Sequence, residues 1–97
     1  MNKSDNAIVE LVVRNHPGVM THITGLFARR AFNLEGIVCS RIGDGHESRM
    51  YLLVKNDDLV EQIIKQLQKL YDVRKVTFHE DYDSTIFNRL DEIIKGE

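Results

Sequence analysis

Apolar residues recur along the chain with two different periods, and the switches between them mark out the elements. Over residues 7–14, AIVELVVR places Val9, Leu11 and Val13 on one side, the alternation of a strand. Asn15-His16-Pro17-Gly18 breaks that run; proline is preorganised for a first helical turn, and Asn15 or His16 stands just ahead of it as a cap. Val19, Met20, Ile23, Leu26, Phe27 and Arg30 then repeat at helical spacing while Thr21, His22, Thr24 and Ala28 fall largely on other faces, which predicts an amphipathic helix ending near Ala31. A second strand is predicted from Leu34 to Ile42, Gly43-Asp44-Gly45-His46 is a hairpin signal, and Arg49 to Lys55 gives the third strand. Asn56-Asp57-Asp58 caps a second helix with the stripe Leu59, Val60, Ile63, Ile64, Leu67 and Leu70, and Val73 to His79 reads as the fourth strand.

The order βαββαβ is the ferredoxin-like split unit, an α+β fold with a four-stranded antiparallel sheet and two helices on one face. Residues 1–80 make up this domain and residues 81–97 a C-terminal tail, in which Asp83 or Ser84 can cap a short amphipathic helix bearing Ile86, Phe87, Leu90, Ile93 and Ile94. Spacing leaves open whether that helix packs on its own domain or docks on a partner. By alternation Val12, Val38, Tyr51 and Leu53 fall on the sheet face or edge away from the two helices. Left uncovered they form a contiguous apolar patch, the mark of an interface, and a homodimer is the economical cover.

The length of 97 residues suits one domain, and roughly 60–68% burial of the unfolded surface leaves little room for an enclosed active site. A net charge of −2 offers no broad basic field for nucleic acid or an anionic membrane. The one cysteine, Cys39, rules out an internal disulfide, points to a reducing compartment and, in its apolar context, reads as a small packed side chain. Residues 1–6, Met-Asn-Lys-Ser-Asp-Asn, carry no apolar run of signal-peptide length and no segment is long enough to span a bilayer, so the cytoplasm is the expected location.

Catalytic patterns are missing. Ser40, Ser48 and Ser84 have no nucleophile elbow, no phosphate-cradling glycine loop occurs, and His16, His22, His46 and His79 lack metal-ligand spacing, with His16 and His22 expected to project to different sides of a helix start. An RNA-recognition domain needs stacking aromatics on its central strands, where this chain offers only Tyr51. A metal chaperone needs paired cysteines, and an acylphosphatase-like hydrolase an arginine loop, where this chain has Asn15-His16-Pro17-Gly18.

That segment is the candidate ligand site. Gly18 lacks a Cβ, so a ligand can approach its backbone closely, and the amides of Gly18, Val19 and Met20 lie in a first turn where N–H groups lack intrahelical partners. A carboxylate fits there without a charged side chain, and Asn15 can add a donor or acceptor. Plain turn chemistry accounts for the same residues. Asn33, before the second strand, can accept from an ammonium and donate to a carboxylate, or can simply be a helix-terminal residue tolerating the left-handed region. A helix of roughly 14 residues is about 20 Å long. Asn15 and Asn33 therefore lie at opposite ends of it, and one small ligand reaches both only if Asn33 comes from a second copy.

The stretch VRNHPGVMTHITGLFARRAFNLEGI, residues 13–37, resembles the ACT-domain signature of acetohydroxy acid (acetolactate) synthase small subunits, most closely the short type paired with the bacterial isozyme I catalytic subunit. The resemblance extends over essentially the whole chain, the tail DSTIFNRL included. It implies a non-catalytic regulatory subunit that binds a branched-chain end product, usually valine, at an ACT dimer interface, inhibits the large catalytic subunit and also raises its activity. Carried over by position, the ligand meets Asn15, Gly18, Val19 and Met20 of one copy and Asn33 and Leu34 of the other, with no metal site. Thiamine diphosphate, magnesium and FAD are implied for the catalytic subunit and no cofactor for this chain. Many small subunits carry a second C-terminal domain, whereas the sequence here stops soon after the expected ACT unit. Other readings are a stand-alone ACT sensor serving a different enzyme or a transcription factor, and an uncharacterised enzyme on this fold.

Overall fold

The computed structural model describes residues 5–83 and 85–96. Its elements are β1 (Asn6–Arg14), α1 (Val19–Arg29), β2 (Leu34–Ile42), β3 (Glu47–Lys55), α2 (Val60–Gln68), β4 (Val73–His79) and α3 (Ile86–Lys95). All strand pairs are antiparallel in the order β2-β3-β1-β4, the expected split topology. β3 begins two residues earlier than its apolar run, because the β2–β3 ladder continues through Arg41↔Ser48 to Ile42↔Glu47.

Strand alternation builds the core directly. Ala7, Val9, Leu11 and Val13 of β1 and Met50, Leu52 and Val54 of β3 are fully buried, together with Ile23 and Phe27 of α1 and Ile63 and Leu67 of α2. Truncating one of the larger of these to alanine costs about 2–5 kcal/mol. The predicted stripe of α2 holds except at its start: Leu59 is exposed, since it precedes the helix in a turn where its N–H donates to Asp57 Oδ1 at 2.9 Å.

α1 stops at Arg29, short of the expected Ala31, through a specific terminal motif. The Ala31 N–H donates to the Ala28 carbonyl and the Phe32 N–H to the Phe27 carbonyl, the two bonds of a Schellman turn. The Phe27 and Phe32 rings then pack edge to face at 5.7 Å, the apolar contact that accompanies this motif. The left-handed position is occupied by Ala31, at φ 52°, and not by Asn33 as the sequence suggested. Asn33 follows Phe32, outside the left-handed region, and leads straight into β2.

The sheet face opposite α1 and α2 is not left open. Ile8, Val38 and Tyr51 on that face border a cleft of about 350 Å³ with Ile86, Phe87 and Leu90 of α3. Phe87 lies so close over β2 that a Cβ on Gly36 would be 3.1 Å from its ring. The tail helix thus packs on its own domain, and the apolar surplus at Val38 and Tyr51 needs no second copy to cover it. The seat is shallow: no residue of α3 is buried, and Ile93 and Ile94 are 70% and 79% exposed. At its start the Thr85 N–H donates to Asp83 Oδ1 at 2.9 Å, while Ser84 lies outside the described residues.

Cys39 departs from expectation. It is exposed, on the α1/α2 side of β2 opposite Met50, because β2 is an edge strand that the two helices do not cover there; Ile37 on the same side is likewise 37% exposed. No helix among the described residues is long and apolar enough to cross a membrane.

Two substitutions test this account. Ala31→Gly relieves a left-handed alanine and should stabilise the domain by about 1 kcal/mol in urea unfolding; a destabilisation would contradict the assigned turn. Phe87→Ala should speed amide exchange throughout residues 86–95 while β1 and β3 stay protected, whereas equal loss in both regions would mean that α3 is integral to the core.

Candidate functional site

The loop between β1 and α1 is held from two sides. Toward the β2–β3 hairpin, the Asn15 side-chain amide donates to the Gly45 carbonyl at 2.8 Å and the Asn15 N–H to the His46 carbonyl at 2.9 Å. Toward the turn between α2 and β4, the Arg14 N–H donates to the Asp72 carbonyl at 2.8 Å and His16 Nε2 lies 2.8 Å from Asp72 Oδ1. Asn15 therefore spends one side-chain donor inside the protein and keeps its Oδ1 as an outward acceptor.

Gly18 is the cap of α1, at φ 91° and ψ −11°, and an added Cβ would meet nothing within 4 Å. Space is therefore available above this residue, while the left-handed backbone selects glycine. The expected row of three open amides is reduced by one. The Val19 N–H donates to the His16 carbonyl at 3.3 Å, closing the Pro17–Gly18 turn, whereas the N–H groups of Gly18 and Met20 have no protein acceptor among the described residues. Both donors stand at the positive end of α1, where a carboxylate is favoured. The Met20 side chain is 39% exposed beside them, an apolar surface next to a polar anchor.

A convergence of two histidines on one carboxylate was invisible to helical spacing. His16 and His22 do not diverge as expected but converge on Asp72, His22 Nδ1 lying 3.5 Å from Asp72 Oδ2 and the two rings 6.5 Å apart. His16 sits in the turn before α1, so the helical rotation that separates positions six apart does not apply to it. The hydrogen bond to Asp72, and after it that to the Pro17 carbonyl, raises the His16 pKa above its ordinary 6.5. The same bond from His16 holds the Asp72 carboxyl below the usual carboxylate range. Among the described residues no three or more His, Cys, Asp and Glu side chains form a group able to hold a metal ion.

Asn33 and Leu34 lie at the other end of α1, whose 11 residues span about 16 Å. The Asn33 side-chain amide donates to Glu35 Oε1 at 2.8 Å, and Leu34 packs half-buried against the core. A register shift between Leu34 and Gly36 sets two residues of β2 against one of β3 here. A second shift interrupts the β1–β4 ladder between Val12 and Val13, just before the Asn15 loop. Each half of the candidate site therefore adjoins a sheet irregularity, the kind of feature that re-aims side chains next to functional positions. Within one copy the halves are not brought together.

The family model for the AHAS small subunit-like ACT domain matches residues 9–75. The acetolactate synthase isozyme 1 small subunit of Escherichia coli is 57% identical over 86 residues, covering 89% of this chain and 88% of that protein. A probable acetolactate synthase small subunit of Archaeoglobus fulgidus is 43% identical over 70 residues, 71% of this chain but 44% of that longer protein. Among solved structures, the acetolactate synthase small subunit of Thermotoga maritima superposes with a TM-score of 0.69 at 34% identity, covering 93% of this chain and 68% of that one. The regulatory subunit of aspartate kinase from Thermus thermophilus, at 19% identity and a TM-score of 0.68 over 79% of this chain and 52% of that one, shares the fold. A conformationally selected glycine at a helix start with two open amides, an asparagine beside it and a second asparagine at the head of an edge strand are thus set in a frame with close relatives, and the chain belongs to the acetolactate synthase small-subunit family of ACT domains.

Proposed function

We propose that two copies of this chain pair through their β2 edges and bind a branched-chain amino acid, valine first among them, at two shared sites. Occupancy of these sites inhibits the large thiamine-diphosphate-dependent catalytic subunit of acetolactate synthase, whose activity the small subunit otherwise raises. Thiamine diphosphate, magnesium and FAD belong to that large subunit in this reading.

The observation that carries the proposal is the bond from Asn15 to Gly45. It ties the loop with the open amides to the hairpin that follows Ile42, the last residue of β2. Antiparallel pairing of two β2 strands sets the start of one beside the end of the other. Asn33 and Leu34 of one copy then come alongside the Asn15–Gly18 loop of its partner, the convergence that a single chain does not achieve. The choice of edge has its own support. β2 presents exposed Ile37 and Cys39 and an unpaired backbone, whereas the opposite edge, β4, carries Arg74 and Lys75 beside its register shift, which discourages strand addition. In the shared site the carboxylate takes the Gly18 and Met20 amides, the ammonium takes an asparagine carbonyl oxygen, and the branched side chain lies against Met20 and Leu34.

Calorimetric titration with valine, leucine and isoleucine should show one ligand per copy, with affinities separated by about 1–3 kcal/mol, the difference a methylene makes in an apolar pocket. Silence toward all three, with the protein co-purifying without any thiamine-dependent subunit, would shift the case to a sensor for another enzyme. Asn33→Ala should weaken feedback inhibition of the reconstituted enzyme while leaving activation by the small subunit largely intact; unchanged valine sensitivity would remove Asn33 from the site.

A further inference from the structure

Resting on the reading of the Gly18 and Met20 amides as the effector's carboxylate anchor, we propose that Asp72 is a positioning residue of that anchor, acting through His16, and that it makes effector affinity fall as pH rises. Asp72 lies in the turn before β4, outside every motif in the β1–α1 segment. Its backbone carbonyl accepts from the Arg14 N–H at 2.8 Å and its side chain reaches His16 Nε2 at 2.8 Å, so one residue grips the loop at two points.

The second ring nitrogen of His16 supplies the link to the anchor. His16 Nδ1 is 2.6 Å from the Pro17 carbonyl, whose oxygen can only accept. An ionised Asp72 also only accepts. Both ring nitrogens must therefore donate, and only the imidazolium has two N–H groups. The carbonyl it holds belongs to the peptide whose nitrogen is that of Gly18, so the His16 ring fixes the plane carrying the first open amide. The His16 carbonyl fixes the next residue by accepting from the Val19 N–H. Protonated His16 also adds a positive charge beside the place where a carboxylate binds.

The charged groups facing His16 are few. Asp72, 13% exposed in its side chain, favours the imidazolium from the α2–β4 turn. Arg14, at the end of β1 and 5.0 Å above the Tyr71 ring, opposes it. His22 of α1 shares the second Asp72 oxygen at 3.5 Å and is 62% exposed. Because His16 titrates above its ordinary 6.5, the arrangement is complete below that pH and is lost as pH rises through the raised value. At the acid end it persists until the lowered Asp72 carboxyl takes up a proton.

The experiment uses the whole chain from about pH 5.5 to about pH 8.5, the window in which a histidine changes charge. Without ligand, the amide resonances of Gly18 and Met20 should follow the ring titration of His16 with one midpoint. In Asp72→Asn, which keeps the backbone bond to Arg14, that midpoint should drop and the amides should cease to follow it. Valine affinity of the wild type should fall by about two- to fivefold across the range, the scale of a solvent-accessible charge pair, while Asp72→Asn and His16→Gln bind more weakly and without this slope. Amides indifferent to His16, or a slope retained in Asp72→Asn, would overturn the proposal. Amides that follow His16 in a chain binding no branched-chain amino acid at any pH would uphold the grip of Asp72 on the loop and reject the ligand.

Discussion

The structure depends on β1 being flanked on both sides. With β3 along one edge and β4 along the other, its backbone is paired over most of its length, and its odd-numbered residues from Ala7 to Val13 are fully buried beneath α1 and α2. A strand so constrained cannot slip, since a one-residue shift would turn Val9 and Leu11 out of the core and bring Glu10 in. Its C-terminal end is consequently a fixed point, and the loop from Asn15 to Gly18 inherits that fixity. The hydrogen bonds to Gly45, His46 and Asp72 then restrain the loop further, so that its open amides are presented by a rigid base.

The opposite face of the sheet is built on looser terms. Glu10 sits at its centre, 2.8 Å from His79 and 3.3 Å from Arg49, and the apolar ground around Ile8, Val38 and Tyr51 is roofed by one short helix. One side of the sheet is packed to exclude water and the other keeps a cleft. In a chain this small, that asymmetry concentrates stability on the α1/α2 side and leaves the tail helix on a shallow seat with none of its residues buried.

Most of the fold was legible because its elements are amphipathic with clean periods. Val9, Leu11 and Val13, and Ile23, Leu26 and Phe27, announce buried faces by spacing alone. What escaped depends on contacts distant in sequence or on tertiary cover. Cys39 looked packed because its neighbours are apolar, yet strand position decides burial, and no local signal marks β2 as an uncovered edge. Asp72 could not be linked to His16 because no periodic rule connects a turn before the last strand to one after the first. Asn33 was a reasonable candidate for the left-handed position, but the Phe27–Phe32 contact set the helix stop two residues earlier and placed the strain on Ala31. Asn15 and Gly18 were correctly singled out as loop features, while the engagement of the Val19 amide needed the turn geometry to become visible.

In the proposed pair, β2 also serves as a ruler. Asn33 stands immediately before the strand and the hairpin gripping Asn15 immediately after it, so its nine residues fix the separation of the two half-sites in each copy. Lengthening the strand by one residue would move these half-sites apart by about 3.3 Å and exchange the sides on which they project. The metric of the pocket is thereby written into the count of residues along an edge.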